Sequence, residues 1–155
     1  MVDTAGMYLH HRQPERVLIL HGIWNTRSWL LPLAWRLRSQ GFVVDTFGYP
    51  SVFGGPDVAV PQLLQRLRGR GPVSLVGHSL GGLVALEALR QAPQLEVPRV
   101  VCLGSPLCGS GTARVMADHG WAVALGRSGG LLRHGLPDWQ GPAEVGLIAG
   151  SGAHG

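Results

Sequence analysis

Val73-Ser74-Leu75-Val76-Gly77-His78-Ser79-Leu80-Gly81-Gly82 is the stretch that decides the fold. Val73–Val76 is a short apolar run of strand type, Gly77 to Gly81 spell G-x-S-x-G, and a helical pattern runs from Gly81 to about Ala92, closed by Pro93. A serine at the tip of a strand-to-helix turn is held in a strained backbone conformation. Side chains two residues to either side of it would collide, and Gly77 and Gly81 remove them. Gly82 lets the helix lie close to the sheet. The Ser79 hydroxyl then projects from the sheet's carboxyl edge, at a helix N-terminus whose free N–H groups favour a developing anion. An ordinary Gly-rich strand–helix turn is the competing explanation, and the strand before and helix after the pentapeptide count against it.

Working outward, the same alternation continues. Arg16–Leu20 reads as a first strand, near-continuously apolar as a strand covered on both faces should be. After the turn His21-Gly22-Ile23-Trp24-Asn25, the spacing predicts a helix from about Ser28 to Gln40, with Leu30, Leu33, Ala34 and Leu37 on one face and Gly41 as its stop. Phe42–Phe47 is the second strand. Gly54-Gly55-Pro56-Asp57 opens a helix to about Arg68, ended by Gly69 and Gly71-Pro72. Arg99–Leu103 and Glu144–Ala149 are the fourth and fifth strands, separated by a predicted helix near Thr112–His119 and a loose stretch from Gly120 to Pro142. This pattern predicts a single α/β domain over residues 1–155: three layers, a mostly parallel five-stranded sheet with helices on both faces. Residues 120–143, with Trp121, Leu125, Leu131, Leu132, Leu136 and Trp139, form either a cap or a segment packed on the core. Crossovers in such a sheet are right-handed, and ligands bind at its carboxyl edge near the switch point.

His21-Gly22-Ile23 ends the first strand at that edge. A strand-ending His-Gly turn paired with Gly-His-Ser-Leu-Gly-Gly resembles the α/β-hydrolase superfamily, and Leu103-Gly104-Ser105-Pro106-Leu107-Cys108-Gly109-Ser110 resembles bacterial lipases and GPI-inositol-deacylase-like hydrolases. The resemblance spans about residues 16 to 150. It implies Ser79 as nucleophile on a nucleophile elbow and the backbone N–H groups of Ile23 and Leu80 as oxyanion donors. His21, Gly22, Gly77, His78 and Gly81 would support the two turns. The implied chemistry is ester or thioester hydrolysis through an acyl-enzyme, in which losing one oxyanion donor costs about 3 kcal/mol. Trp24 beside the turn is a candidate acyl-pocket residue, and Tyr49-Pro50 closes the second strand at the same edge. Trp29 and Trp35 are expected to pack or to sit half-exposed on the first helix.

A serine hydroxyl is a weak nucleophile without an adjacent base. In the family the order is Ser, Asp/Glu, His. The resemblance puts the acid after the strand that Glu144–Ala149 matches and the histidine after one further strand, so both are expected beyond this chain, which ends at Gly155. Within the chain, His154 and Asp138 are the least unsuitable partners. His10 and His11 lie in a polar leader, Asp118 and His119 would close a helix running back from the carboxyl edge and so fall at the wrong end of the sheet, and His134 has no predicted place. The expected function is a serine esterase or lipase-like hydrolase. The alternatives are a catalytically impaired relic of the fold that serves as a binding module, and acyl transfer or peptide hydrolysis on the same scaffold.

Composition narrows the field. The chain has 155 residues, 45% hydrophobic and 14% charged, and a formal net charge of +4; all 13 cationic residues are arginine. Those at 36, 38, 66, 68 and 70 read as solvated helix faces, with no stacking aromatics or motif for nucleic acid. Cys102 reads as a buried small hydrophobe and Cys108 as a loop residue, not as a disulfide pair. No His/Cys/Asp cluster has metal-ligand spacing and no lysine follows the Gly-rich turn, so neither metal nor cofactor is expected. With no signal-peptide core and no apolar run of about 18 residues, a cytoplasmic protein acting on small ester or lipid-like molecules is expected. Val145, Leu147 and Ile148 would leave the fifth strand an apolar edge, a place for self-association.

Overall fold

In the first strand, β1 (Arg16–Leu20), the four residues after Arg16 are apolar, as their burial on both faces requires. Val17 and Ile19 belong to one core with Leu30 and Ala34, whereas Leu18 and Leu20 belong to another with Leu63, Leu83 and Leu86. The structure, a computed structural model, describes residues 14–22, 27–51, 55–105 and 139–149. After β1 come a 3₁₀ turn (Arg27–Leu30), α1 (Leu31–Ser39), β2 (Val43–Phe47), α2 (Gly55–Leu67), β3 (Ser74–His78), α3 (Leu80–Gln91), β4 (Arg99–Leu103) and β5 (Glu144–Ile148).

The strands form one sheet in the order β2-β1-β3-β4-β5, and every pairing is parallel. The first crossover carries the chain from β1 outward to β2, and the next returns it to β3 on the other side of β1. The order therefore reverses between β1 and β3, and the carboxyl ends of these two strands flank the switch point. Alternation along the strands divides the layers: α1 packs on Val17, Ile19 and Val44, while α2 and α3 share the opposite face. Five parallel strands with helices on both faces are the expected architecture.

Several element ends differ from the sequence expectation by a residue or two, and two of these shifts have a clear local reason. The second strand starts at Val43, not Phe42, because the Phe42 N–H closes α1 by donating to the Leu37 carbonyl at 3.2 Å, with Gly41 at φ +91° making the turn. The third strand runs two residues further, to His78, because Gly77 and His78 pair with Cys102 and Leu103 of β4. Trp29 and Trp35 are 74% and 70% exposed, more than the half-exposure expected of them. Leu30 and Ala34 fill the buried side of that segment, which leaves the two indoles facing solvent.

Among the described residues, β2 and β5 are the edge strands of the sheet. On β5, Leu147 and Ile148 are exposed, and on β2 Val43 is exposed, an edge the sequence reading did not anticipate. Of the 120–143 segment, residues 120–138 lie outside the described residues. Trp139 packs against the main core and its indole N–H donates to the Ala143 carbonyl at 2.8 Å. The predicted helix near Thr112–His119 also lies outside the described residues. Among the described residues, no helix is long and apolar enough to cross a membrane.

Candidate active site

β3 delivers the chain to Ser79 and α3 begins at the next residue. With only one residue in which to turn from strand to helix, the backbone at Ser79 takes φ +51° and ψ −117°. Among the described residues it is the only non-glycine residue with a positive φ, a conformation that costs an L-residue about 1–3 kcal/mol. The Ser79 N–H donates to the Leu103 carbonyl at 2.9 Å, and the Ser79 carbonyl accepts from the Gly82 N–H at 3.2 Å. The turn is thereby tied both to β4 and to the first turn of α3.

The glycines around it are demanded by space. A Cβ on Gly77 would lie 2.5 Å from the Gly81 carbonyl carbon, and one on Gly81 would lie 2.6 Å from the Leu20 carbonyl oxygen. A Cβ on Gly82 would collide with the Ser105 hydroxyl and approach Cys102 Sγ to 3.1 Å. On the neighbouring strand, a Cβ on Gly22 would come within 3.0 Å of Ser79 Cβ and 3.1 Å of His78 Nδ1. The end of β1 and the elbow are therefore in direct contact: Gly22, His78 and Ser79 meet at one point of the carboxyl edge. Leu80 occupies the first helical position, so its N–H has no carbonyl four residues back to bind.

His21 is held by its own neighbours. The ring is buried, its Nδ1 lies 2.8 Å from the Gly22 carbonyl oxygen, and its Nε2 accepts from the Tyr49 N–H at 3.2 Å. These partners assign the proton to Nδ1 and leave neither nitrogen free. Tyr49 completes the clasp by donating its hydroxyl to the His21 carbonyl at 2.6 Å and stacking on the imidazole with ring centroids 4.4 Å apart. Burial pushes the Tyr49 phenol up, so it remains a donor. This pairing across 28 positions is the element that sequence reasoning missed, since the sequence shows Tyr49 only as the close of the second strand. The available signal was an aromatic residue at the carboxyl end of the strand that neighbours the His-Gly turn.

Behind the elbow, Cys102 is buried and burial raises its thiol to about 11, against a smaller lowering by the Ser105 hydroxyl. It is a packing residue under Gly82, as its apolar run implies. Several expected residues lie outside the described ones: Ile23, Trp24, Cys108, His134, Asp138 and His154, together with His10, His11, Asp118 and His119. The structure therefore brings together Ser79, Leu80, His21, Gly22, Gly77, His78 and Gly81. Among the described residues no group of three or more His, Cys, Asp or Glu could hold a metal ion.

Comparison with known proteins follows the same lines. A family model described as the alpha/beta hydrolase family matches residues 17–152. The bis(hydroxyethyl) terephthalate hydrolase of Streptomyces coelicolor is 40% identical over 81 residues, covering 44% of this chain and 25% of that protein. Among solved structures, tomato methylketone synthase I matches with a TM-score of 0.55 at 20% identity, over 69% of this chain and 48% of that one. A carboxylesterase structure from the thaumarchaeon Nitrososphaera gargenis gives 0.54 at 18% identity, over 73% and 46%. A pyrethroid hydrolase of Sphingobium faniae gives 0.52 at 21%, over 64% and 43%. The match thus spans a quarter of the curated relative and under half of each of these solved structures.

Proposed function

The chain belongs to the alpha/beta hydrolase family, and from that premise we propose that it is a serine hydrolase that cleaves small carboxylic esters through an acyl-enzyme on Ser79. The observation that carries this reading is the Ser79 backbone, kept at φ +51° at the turn where β1 and β3 meet. Strain of that kind persists only where the surroundings impose it, and it belongs to functional turns. The name of the Streptomyces coelicolor relative adds support, since its stated substrate is a carboxylic diester.

In the proposed reaction, Ser79 Oγ attacks the ester carbonyl carbon while its proton passes to a general base. The carbonyl oxygen becomes an oxyanion received by the N–H groups of Leu80 and Ile23. Its collapse breaks the C–O bond, and the alcohol leaves with the proton. Water then attacks the acyl-enzyme, the carboxylic acid departs, and the serine hydroxyl is restored. His21 cannot be the base, because both its nitrogens are engaged with backbone groups. Its role in this reading is to hold the Gly22 turn that presents the oxyanion donor. The family order assigns the base to a histidine that follows Ser79 in the chain and the acid to an Asp or Glu between them. His154 and Asp138 are the in-chain candidates. The exposed edge of β5 is the surface through which copies would associate.

A fluorophosphonate probe tests the reading, since it reacts only with a serine whose base is in place. Mass spectrometry should find the label on Ser79, and Ser79→Ala should abolish both labelling and hydrolysis of p-nitrophenyl acetate. Folded protein that takes no label would overturn catalysis. It would favour the second reading, a binding module on the same scaffold, which the fully engaged His21 nitrogens already make worth separating.

A further inference from the structure

Where α2 ends against β1 and β2, the amino edge of the sheet holds a cavity of about 270 Å³. Its walls join two chemistries. The buried aliphatic side chains of Leu18, Leu67 and Val73 form the apolar part. Arg16, Arg66, Arg70 and Asp45 supply the charge. Arg66 pairs with Asp45. The Arg16 guanidinium donates to the backbone carbonyl of Arg70, a neutral acceptor. Three arginines thus line the cavity with one acidic residue, a formal excess of two positive charges. Arg70 is carried there by the turn between α2 and β3, where Gly69 and Gly71 on either side of it both take φ +69°.

We propose that this cavity is a second binding site, for a small aliphatic carboxylate. A guanidinium fork matches the planar carboxylate and binds it through two parallel hydrogen bonds. The hydrocarbon part would lie on the aliphatic walls, which offer nothing to an inorganic anion. The volume falls below the ~300–1,000 Å³ of sites for drug-sized molecules, which fits a short chain. The site opens at the start of β1 and β2, while Ser79 follows the end of β3, so one strand length, roughly 16 Å, separates them. It is independent of the chemistry assigned to Ser79.

Isothermal titration with hexanoate, on the full chain carrying Ser79→Ala, tests the proposal. Saturable binding of one hexanoate is expected, with hexanamide and inorganic phosphate each at least ~10-fold weaker. Arg16→Gln and Arg70→Gln should each weaken hexanoate ~10-fold, and Arg90→Gln, on α3 and away from the cavity, should leave it unchanged. Circular dichroism confirms that each variant remains folded, and Arg70→Lys, which keeps the charge, should recover part of the affinity. The proposal fails if folded protein shows no saturable binding or if hexanamide or phosphate binds as well as hexanoate. It also fails if the Arg16→Gln/Arg70→Gln double variant still binds fully, because the ligand then sits elsewhere, the Ser79 cleft included.

Discussion

The same strands are finished in opposite ways at their two ends. At the carboxyl edge the chain comes together backbone to backbone: Gly77 against Gly81 and Gly82, Gly81 against the Leu20 carbonyl, Gly22 against the His78 carbonyl. At the amino edge it is joined by long charged side chains. Glu15 accepts from the Ser74 hydroxyl at 2.6 Å and from Arg99 at 3.1 Å, and Arg99 reaches on to Glu144 at 3.3 Å. One methyl group is too much for the first edge, whereas the second can rearrange by rotating side chains in water. The carboxyl edge is therefore where geometry is fixed, and the amino edge is where charge is displayed.

Gly77→Ala should break the first edge with the largest effect. The new Cβ would meet the Gly81 carbonyl carbon at 2.5 Å, and that atom is backbone within the elbow, so no rotamer change relieves the contact. Overpacking typically costs ~1–3 kcal/mol where side chains can shift; here a loss of at least ~3 kcal/mol is expected. Urea denaturation measures it. A loss under ~1 kcal/mol would mean that the elbow re-forms around the methyl and that the contrast between the edges is false.

The same contrast explains what could be read in the sequence. The elbow was legible because its constraints are short-range: Gly77, Ser79 and Gly81 lie two positions apart, and each spacing follows from one turn. The layering was legible through the alternation of apolar runs with helical spacing. The amino edge was not, because Glu15 and Arg99 are 84 positions apart and Arg99 and Glu144 are 45 apart. Nothing local marks an arginine that will be a clasp from one that will be solvated: Arg70, expected on a solvated helix face, lies in the turn after α2 and lines the amino-edge cavity with Arg16. The His21–Tyr49 clasp falls between the two cases. His21 was assigned to its turn from the His-Gly motif, but its partner depends on β2 lying beside β1, which only the sheet order reveals.

Tyr49→Phe probes that clasp with an intermediate effect. The ring stack on His21 survives, while the His21 carbonyl loses a buried hydrogen bond of 2.6 Å. A loss of about 1–2 kcal/mol in denaturation is expected. Slower fluorophosphonate labelling of Ser79 should accompany it, because the Gly22 turn loosens. Unchanged stability would show that the carboxyl edge is held by glycine packing alone.

Ser79→Gly should move stability the other way. Glycine adopts φ +51° without the penalty that a side chain carries, so the variant should gain about 1 kcal/mol while losing all labelling. A gain of stability with loss of reactivity at one atom is what a strained functional residue predicts. If Ser79→Gly were instead destabilised, the Ser79 backbone would not be under strain, and the reading of the elbow would lose its main support.

Arg99→Gln tests the other edge, where the smallest effect is expected. Its pairs with Glu15 and Glu144 join side chains that are largely in water, where screening leaves such pairs little net effect on stability. Glu15 keeps its hydrogen bond from Ser74 in the variant, so no buried charge is left unpaired. The difference from wild type should shrink further in ~1 M salt, where the screening length falls to ~3 Å. Gly77→Ala should be indifferent to salt, since its cost is steric. Should Arg99→Gln prove as damaging as Gly77→Ala, the amino edge would be a structural keystone rather than a charged rim, and the division of labour between the two edges would have to be reversed.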